Sequence, residues 1–266
     1  MAVTSADVER IERHYLALWS SLGRLLDGSP MEATPFDSGL AMFWPEVPAP
    51  LFNRVIGIGR SGPVDGAALD RLIERYRSYE LPFQIQLLPS SRDPRIRKFL
   101  AECGLTLQPA SPILALKPDL WQRVTQPPGV TVEELANLDD GSFSWVLLES
   151  FEMPIEVKDW VMKLAAFDGV TNFLGRVEGR PAGTGMLVEE SGVAGLYSGG
   201  VLEQFRRRGL HRALIAKRVE TAFSRGHDLL MSETEAEGNQ SFRDLARQGF
   251  EIAYRHENWG ERASGT

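Results

Sequence analysis

The 266 residues contain a single cysteine, Cys103, so neither an intrachain disulfide framework nor a multi-cysteine zinc or iron–sulfur site can be built from this chain. Histidine is almost as scarce. His14, His211, His227 and His256 are scattered without the i, i+4 spacing of a two-histidine metal helix, and no metal is expected. No apolar run approaches the roughly 20 residues needed to cross a bilayer. The opening MAVTSADVERIERHYLALWSS is charged where a signal peptide would be apolar. These absences predict a soluble, cytoplasmic protein that does not engage membranes. Aromatic residues are not lacking: six Trp and thirteen Phe exclude a disordered chain.

The net charge of −7 is unevenly placed. Residues 1–117 carry 13 basic and 13 acidic side chains, whereas residues 118–266 carry 16 and 23. Within that acidic part, residues 206–218 (RRRGLHRALIAKR) hold six cations and no carboxylate. Nucleic-acid surfaces extend over a whole face and interleave aromatics with cations, so no nucleic acid is expected here. A short cationic cluster fits a small, highly charged anion.

The pattern alternates helices and strands, which predicts an α/β layered fold. Helical spacing covers 6–27, 67–79, 94–103, 142–151, 155–167, 209–224 and 239–248. Strand-like runs cover 40–43, 54–59, 83–88, 113–116, 130–134, 171–177, 181–189, 193–201, 229–233 and 252–259. Pro118, Pro127, Pro128 and Gly129 mark residues 118–129 as a linker between an N-terminal domain, 1–117, and a C-terminal domain, 130–266. Phe99-Leu-Ala-Glu-Cys-Gly-Leu and Leu245-Ala-Arg-Gln-Gly-Phe each precede the last strand of their part, which suggests two copies of one unit.

Arg206, Arg207, Arg208 and Gly209 lead into the 209–224 helix. A helix N-terminus presents unpaired N–H groups and a partial positive charge, and glycine lets backbone approach a ligand closely. The segment reads either as a phosphate site or as a solvated basic helix start. Neither GxxxxGK[ST] nor GxGxxG is present.

Val201-Leu-Glu-Gln-Phe-Arg-Arg-Arg-Gly-Leu-His, followed by a helix and later by Arg247-Gln-Gly-Phe, resembles the acyl-CoA loop and closing elements of the GNAT superfamily of N-acyltransferases. Arg206 and Gly209 match the family loop, and His211 stands where the family has a small residue. The resemblance covers about 130–260. Over 50–117 only the element order survives, without a CoA loop.

The resemblance implies a mixed, mainly antiparallel central sheet flanked by helices, arranged as two tandem GNAT-like halves. It implies transfer of an acetyl or other acyl group from acetyl-CoA to a small-molecule or peptide amine. A non-catalytic acyl-CoA-binding module is the alternative. Val201, Arg206, Arg207, Arg208, Gly209, Leu210, His211 and Arg212 would hold the donor, with Asn239 at the pantetheine or serving only as an N-cap.

The family's tyrosine acid, four residues before the final glycine, is absent, because Leu245 stands there. Tyr197 can replace it or simply pack. Glu233, leading Glu235 and Glu237, can relay a proton or draw a cationic or zwitterionic amine, or merely keep the loop solvated. Trp44 and Phe43 are candidates for an acceptor pocket or for core, and Cys103 reads as a small buried apolar residue.

Overall fold

The computed structural model describes residues 2–25, 31–138 and 141–262. Apolar periodicity becomes structure almost where expected. Helix α1 (Ser5–Leu25) buries Ile11, Tyr15, Leu18 and Leu22 from successive turns. Its start is fixed by a reciprocal cap: Thr4 N donates to Asp7 Oδ2 at 2.8 Å, and Asp7 N donates to Thr4 Oγ1 at 3.3 Å. Two strands escaped the sequence reading. Glu32–Phe36 (β1) is an exposed edge carrying Pro35, and Thr106–Leu107 is two residues long.

The chain forms two compact units: residues 1–14 with 112–253, and residues 15–111 with 254–266. Neither follows the linear division at 117 and 130. The supposed linker is part of the first unit, because Leu120 and Trp121 pack on its core, Trp121 lies edge-on to Phe223, and Gln122 N donates to Gln248 O at 3.1 Å.

In the second unit, β1, β2 (Gly39–Phe43), β3 (Arg54–Ile56) and β4 (Gln84–Leu87) form a sheet with β3 and β4 parallel, crossed by α2 (Gly66–Ser78). Helix α3 (Ile96–Glu102) then leads through Gly104 to β5 (Thr106–Leu107). Phe43 and Trp44 are 4% and 2% exposed, so both are core and not pocket lining. Cys103 is only partly buried, with its sulfur 3.8 Å from Asp70 Oδ1.

The first unit's sheet runs, in chain order, through β6 (Ser111–Leu116), β7 (Val130–Glu134), β8 (Val170–Val177), β9 (Arg180–Glu190), β10 (Val193–Val201) and β11 (Leu230–Glu233). Its spatial order is β6-β11-β10-β9-β8-β7. All neighbours are antiparallel except β10 and β11. Helices α4 (Ser142–Ser150), α5 (Lys158–Ala165), α6 (Leu210–Ser224) and α7 (Gln240–Ala246) complete it. A β-carbon on Gly183 would meet Leu210 and Leu214 of α6, whereas one on Gly200 would meet Ser150 of α4 and Phe151, so α4 and α6 cover opposite faces.

Sequence neighbours are not sheet neighbours at two places. β6 follows the second unit in the chain yet pairs with β11, Leu116 opposite Leu230. The last strand, β12 (Glu251–Gly260), follows α7 yet pairs with β4 and β5, Glu257 opposite Leu87 and Trp259 opposite Leu107. Each part of the sequence therefore gives its last strand to the other unit. This exchange is why cutting the sequence at its proline-rich stretch does not separate two folds.

Two predictions follow from these contacts. Fragments 1–117 and 118–266, expressed singly, should show no cooperative thermal unfolding, because each sheet lacks a strand, whereas the two co-expressed should copurify. A fragment that melts cooperatively alone would contradict the exchange. The other concerns Asp7, whose side chain is 7% exposed and 2.7 Å from Lys117 Nζ. Burial would raise its carboxyl, but hydrogen bonds from Lys117 and Thr4 outweigh that and bring it down to about 2. A carboxyl depressed from an unfolded value near 3.9 stabilises above that pH, here by roughly 2 kcal/mol, and the contribution disappears as pH falls from about 4 to about 2. Asp7→Asn should lower the melting temperature at pH 7, and its gap from wild type should close over that pH range.

Candidate active site

β10 and β9 begin in register, Val193 opposite Glu190, and continue to Tyr197 opposite Met186. Gly200 then faces Thr184, so three residues on β10 match two on β9. Ser198, with φ 51°, is the extra residue of a β-bulge. The parallel pairing of β10 with β11 runs from Ala194–Leu230 to Leu196–Ser232. The bulge thus lies just past the last of these pairs.

The bulge is held from below by Arg218. Its guanidinium donates from Nε to Leu214 O (3.0 Å) and from Nη1 to Tyr197 O (3.0 Å) and Met186 O (3.3 Å). Arg218 is 2% exposed, and burial alone pushes it down to about 9. A side chain on Gly185 would strike it at 2.8 Å, and one on Gly199 would come within 3.1 Å of Nη2. One of the six cations read as an anion site is therefore a buried prop. Two more are exposed and matched by acids, Arg208 with Glu178 at 3.8 Å and Lys217 with Glu220 at 3.8 Å.

A cleft of about 460 Å³ opens over the bulge. Gly199, Gly200 and Val201 form its floor, Ser150 and Phe151 one wall, and Arg206, Arg207, Gly209, Leu210, His211 and Arg212 another. Gln240, Ser241, Asp244 and Arg247 contribute from α7. The fold thus brings Val201, Arg206, Arg207, Gly209, Leu210, His211 and Arg212 together on one cleft. Arg208 is not among the lining residues. Nor is Asn239, whose side chain accepts from Phe242 N at 2.8 Å as the N-cap of α7. Gly209 takes φ 81°, and a β-carbon there would meet Pro127 at 2.6 Å. Arg207 also adopts a left-handed backbone, φ 63°.

His211 and Asp244 are linked inside this cleft. His211 Nδ1 lies 3.0 Å from Asp244 Oδ2, and Gln240 Nε2 donates to Asp244 Oδ1 at 2.9 Å. Burial would raise the Asp244 carboxyl, but the bonds from His211 and Gln240 and the nearby Arg212 charge hold it below the usual carboxylate range.

The two sequence-predicted catalytic residues lie elsewhere. Tyr197 folds back over Gly195, away from the cleft, and its hydroxyl sits 3.1 Å from His14 Nε2. His14 Nδ1 must donate to Glu190 O at 2.9 Å, so Nε2 accepts the tyrosine proton. Glu233 ends β11, one residue beyond the last β10–β11 pair, and does not line the cleft. Leu245 is core.

In the second unit the β3–α2 connection is the counterpart, in element order, of the β10–α6 loop, and three of its backbone donors are already taken. Gly59 N donates to Asp37 Oδ2 (2.7 Å), Arg60 N to Ser38 Oγ (3.0 Å) and Val64 N to Asp93 Oδ2 (2.9 Å). Backbone hydrogen bonds from Arg95 and Val64 hold the Asp93 carboxyl below its usual range. Carboxylates of the chain itself sit where an anion would need free N–H groups.

Residues 132–250 match the family model described as the acetyltransferase (GNAT) family. A search of curated proteins finds no match. Among solved structures, the fold is shared with a GCN5-related N-acetyltransferase from Kribbella flavida (TM-score 0.65, 18% identity, 96% of each chain covered). It is shared also with one from Sphaerobacter thermophilus (TM-score 0.61, 16% identity, 98% of this chain and 94% of that one). A tandem GNAT protein from the clavulanic acid biosynthesis pathway aligns over 94% of this chain and 95% of its own, with TM-score 0.58 and 16% identity. The bulge, the arginine loop and the cleft all lie within residues 132–250, the segment that matches the GNAT acetyltransferase family model.

Proposed function

We propose that the protein transfers an acetyl or other acyl group from acetyl-CoA to an amine, using the cleft above the β10 bulge as its donor site. One observation carries this reading: Arg206, Arg207 and Arg212 converge with Gly209, at the start of α6, on the cleft whose floor is the backbone of Gly199–Val201. The arginines suit a diphosphate, and the backbone of an irregular strand suits the two amides of a pantetheine arm. The donor set fits the group, since a β-carbon on Gly200 would already collide with Ser150. With the diphosphate at the arginines, the arm runs along β10 from Val201 towards Gly199, and the thioester lies at the bulge.

The second unit takes no CoA in this reading, because Asp37 and Asp93 fill its loop. Titration should give one acetyl-CoA per chain. Arg206→Gln combined with Arg207→Gln should weaken acetyl-CoA at least tenfold by calorimetry without changing the melting temperature, since both side chains are exposed. This pair is a cleaner test than any change at Gly209, where the left-handed backbone and Pro127 would confound binding with folding. Unchanged affinity in the double variant, or two CoA per chain, would overturn the assignment.

The acceptor is read as a cationic or zwitterionic amine, small molecule or peptide. Glu233 is partly exposed at the end of β11, and Glu235 and Glu237 are exposed beyond it. Such a rim raises the local concentration of cations, an effect screened over roughly 10 Å at 0.1 M salt. In a screen of polyamines, amino sugars, peptides and acidic amines, Glu233→Gln should raise KM for cationic amines several-fold and leave acetyl-CoA affinity intact. Equal KM values for cationic and anionic amines at low salt would contradict it.

A further inference from the structure

The acid of the family pattern is missing, Tyr197 is turned away, and the cleft still needs a group that can take a proton from the attacking amine. Among the residues that line it, the arginines stay protonated near neutral pH and Asp244 is held ionised by His211 and Gln240. His211 is the remaining titratable side chain of that lining. We infer that His211, oriented by Asp244, is the proton-transfer catalyst of this domain and that this pair stands in for the absent tyrosine. The inference rests on the acyl-transfer reading above.

The geometry sets the tautomer. An ionised Asp244 can only accept, so His211 Nδ1 carries the hydrogen of the 3.0 Å bond, and Nε2 of the neutral ring presents a lone pair. That nitrogen faces the bulge: a β-carbon on Gly199 would stand 3.6 Å from it. The same Gly199 is where the donor arm brings its thioester. The small residue of the family loop, replaced here by histidine, is the position from which a first-turn side chain of α6 reaches the bulge. Asp244 is 4% exposed and further fixed by Gln240, so the ring is held from behind.

The step balances without any further reagent. The lone pair of a neutral amine forms the C–N bond at the thioester carbon, and the carbonyl π pair moves to oxygen. Nε2 of His211 takes the proton from the now cationic nitrogen. The oxyanion collapses, the C–S bond breaks with its pair on sulfur, and the imidazolium returns the proton to that thiolate. Amide and free thiol leave, and His211 is again neutral. The charged groups around the ring are Asp244 of α7 and Arg247 just after it, Arg212 of α6, Arg206 and Arg207 of the loop, which line the same cleft, and Arg218 of α6 beneath Gly199. The carboxylate attracts the imidazolium that forms during turnover and the arginines repel it.

His211→Gln and Asp244→Asn test this, alongside wild type, with thiol release from acetyl-CoA and the amine screen, calorimetry with acetyl-CoA, and NMR of the histidine ring nitrogens. His211→Gln should bind acetyl-CoA within about threefold of wild type, lose roughly 100-fold in kcat, and lose the acid limb of the kcat/KM profile. Asp244→Asn removes the charge that favours imidazolium. It should shift the His211 NMR titration, and the acid limb with it, to lower pH. The NMR shift is readable without turnover, and without His211→Gln should that variant fail to fold.

Unchanged kcat and pH profile in a folded His211→Gln would overturn the inference. So would a tenfold loss of acetyl-CoA affinity with kcat intact, which would make the ring a donor contact, or an unmoved titration in Asp244→Asn. A wild-type protein that binds acetyl-CoA but releases no thiol with any amine would instead sink the acyl-transfer reading itself, before any variant is measured.

Discussion

A single buried cation organises the candidate site. Arg218 has no carboxylate partner among the described residues and satisfies its charge on backbone carbonyls, two of them, Tyr197 O and Met186 O, at the place where β10 and β9 fall out of register. Taking an arginine out of water is expensive unless its donors are used, so the strand is held in the shape that uses them. The left-handed Ser198 is sustained by that demand, and Gly185 and Gly199 are small because the guanidinium occupies the space their side chains would need. Thr184 of β9 adds to this hold, its Oγ1 donating to Ser198 O at 3.3 Å.

In the proposed reading, the two units are one backbone plan opened or closed to an anion by a few side chains. Both have a strand, a glycine-containing loop and a helix. In the first unit the loop carries arginines on the cleft side, and the helix start is left free of acidic caps. In the second, Asp65 caps α2 while Asp37 and Asp93 accept from the loop amides. An internal carboxylate and an external phosphate compete for the same donors, and the internal one is always present at high effective concentration.

How much of this was written locally decided how much could be read. The strand–loop–helix from Val193 to Ser224 was legible because its apolar period changes sharply at Gly209. The loop arginines stood out against an acidic background. The bulge was hidden, since Ser198-Gly199-Gly200 continues a strand pattern and only the lost register reveals the extra residue. Arg218 looked like its exposed neighbours, because burial depends on two glycines from other strands. His211 was visible only as a departure from the family loop, and Asp244 carried no signal, since their pairing joins positions 33 residues apart. Strand exchange was beyond reach for the same reason: pairing partners of β6 and β12 are chosen by tertiary fit.

The exchange also sets an order of events during synthesis. The second unit has all its strands but one by Leu107, and the missing one begins at about residue 254, roughly 150 codons later. At 5–20 residues per second, β4 waits on the order of ten to thirty seconds with an unpaired edge. The sequence meets that interval with a strand of only four residues, Gln84–Leu87, flanked by Pro82 and Pro89. Such an edge is a poor template for a neighbouring nascent chain, so brevity at β4 is as much a property of how the protein is made as of how it stands when finished.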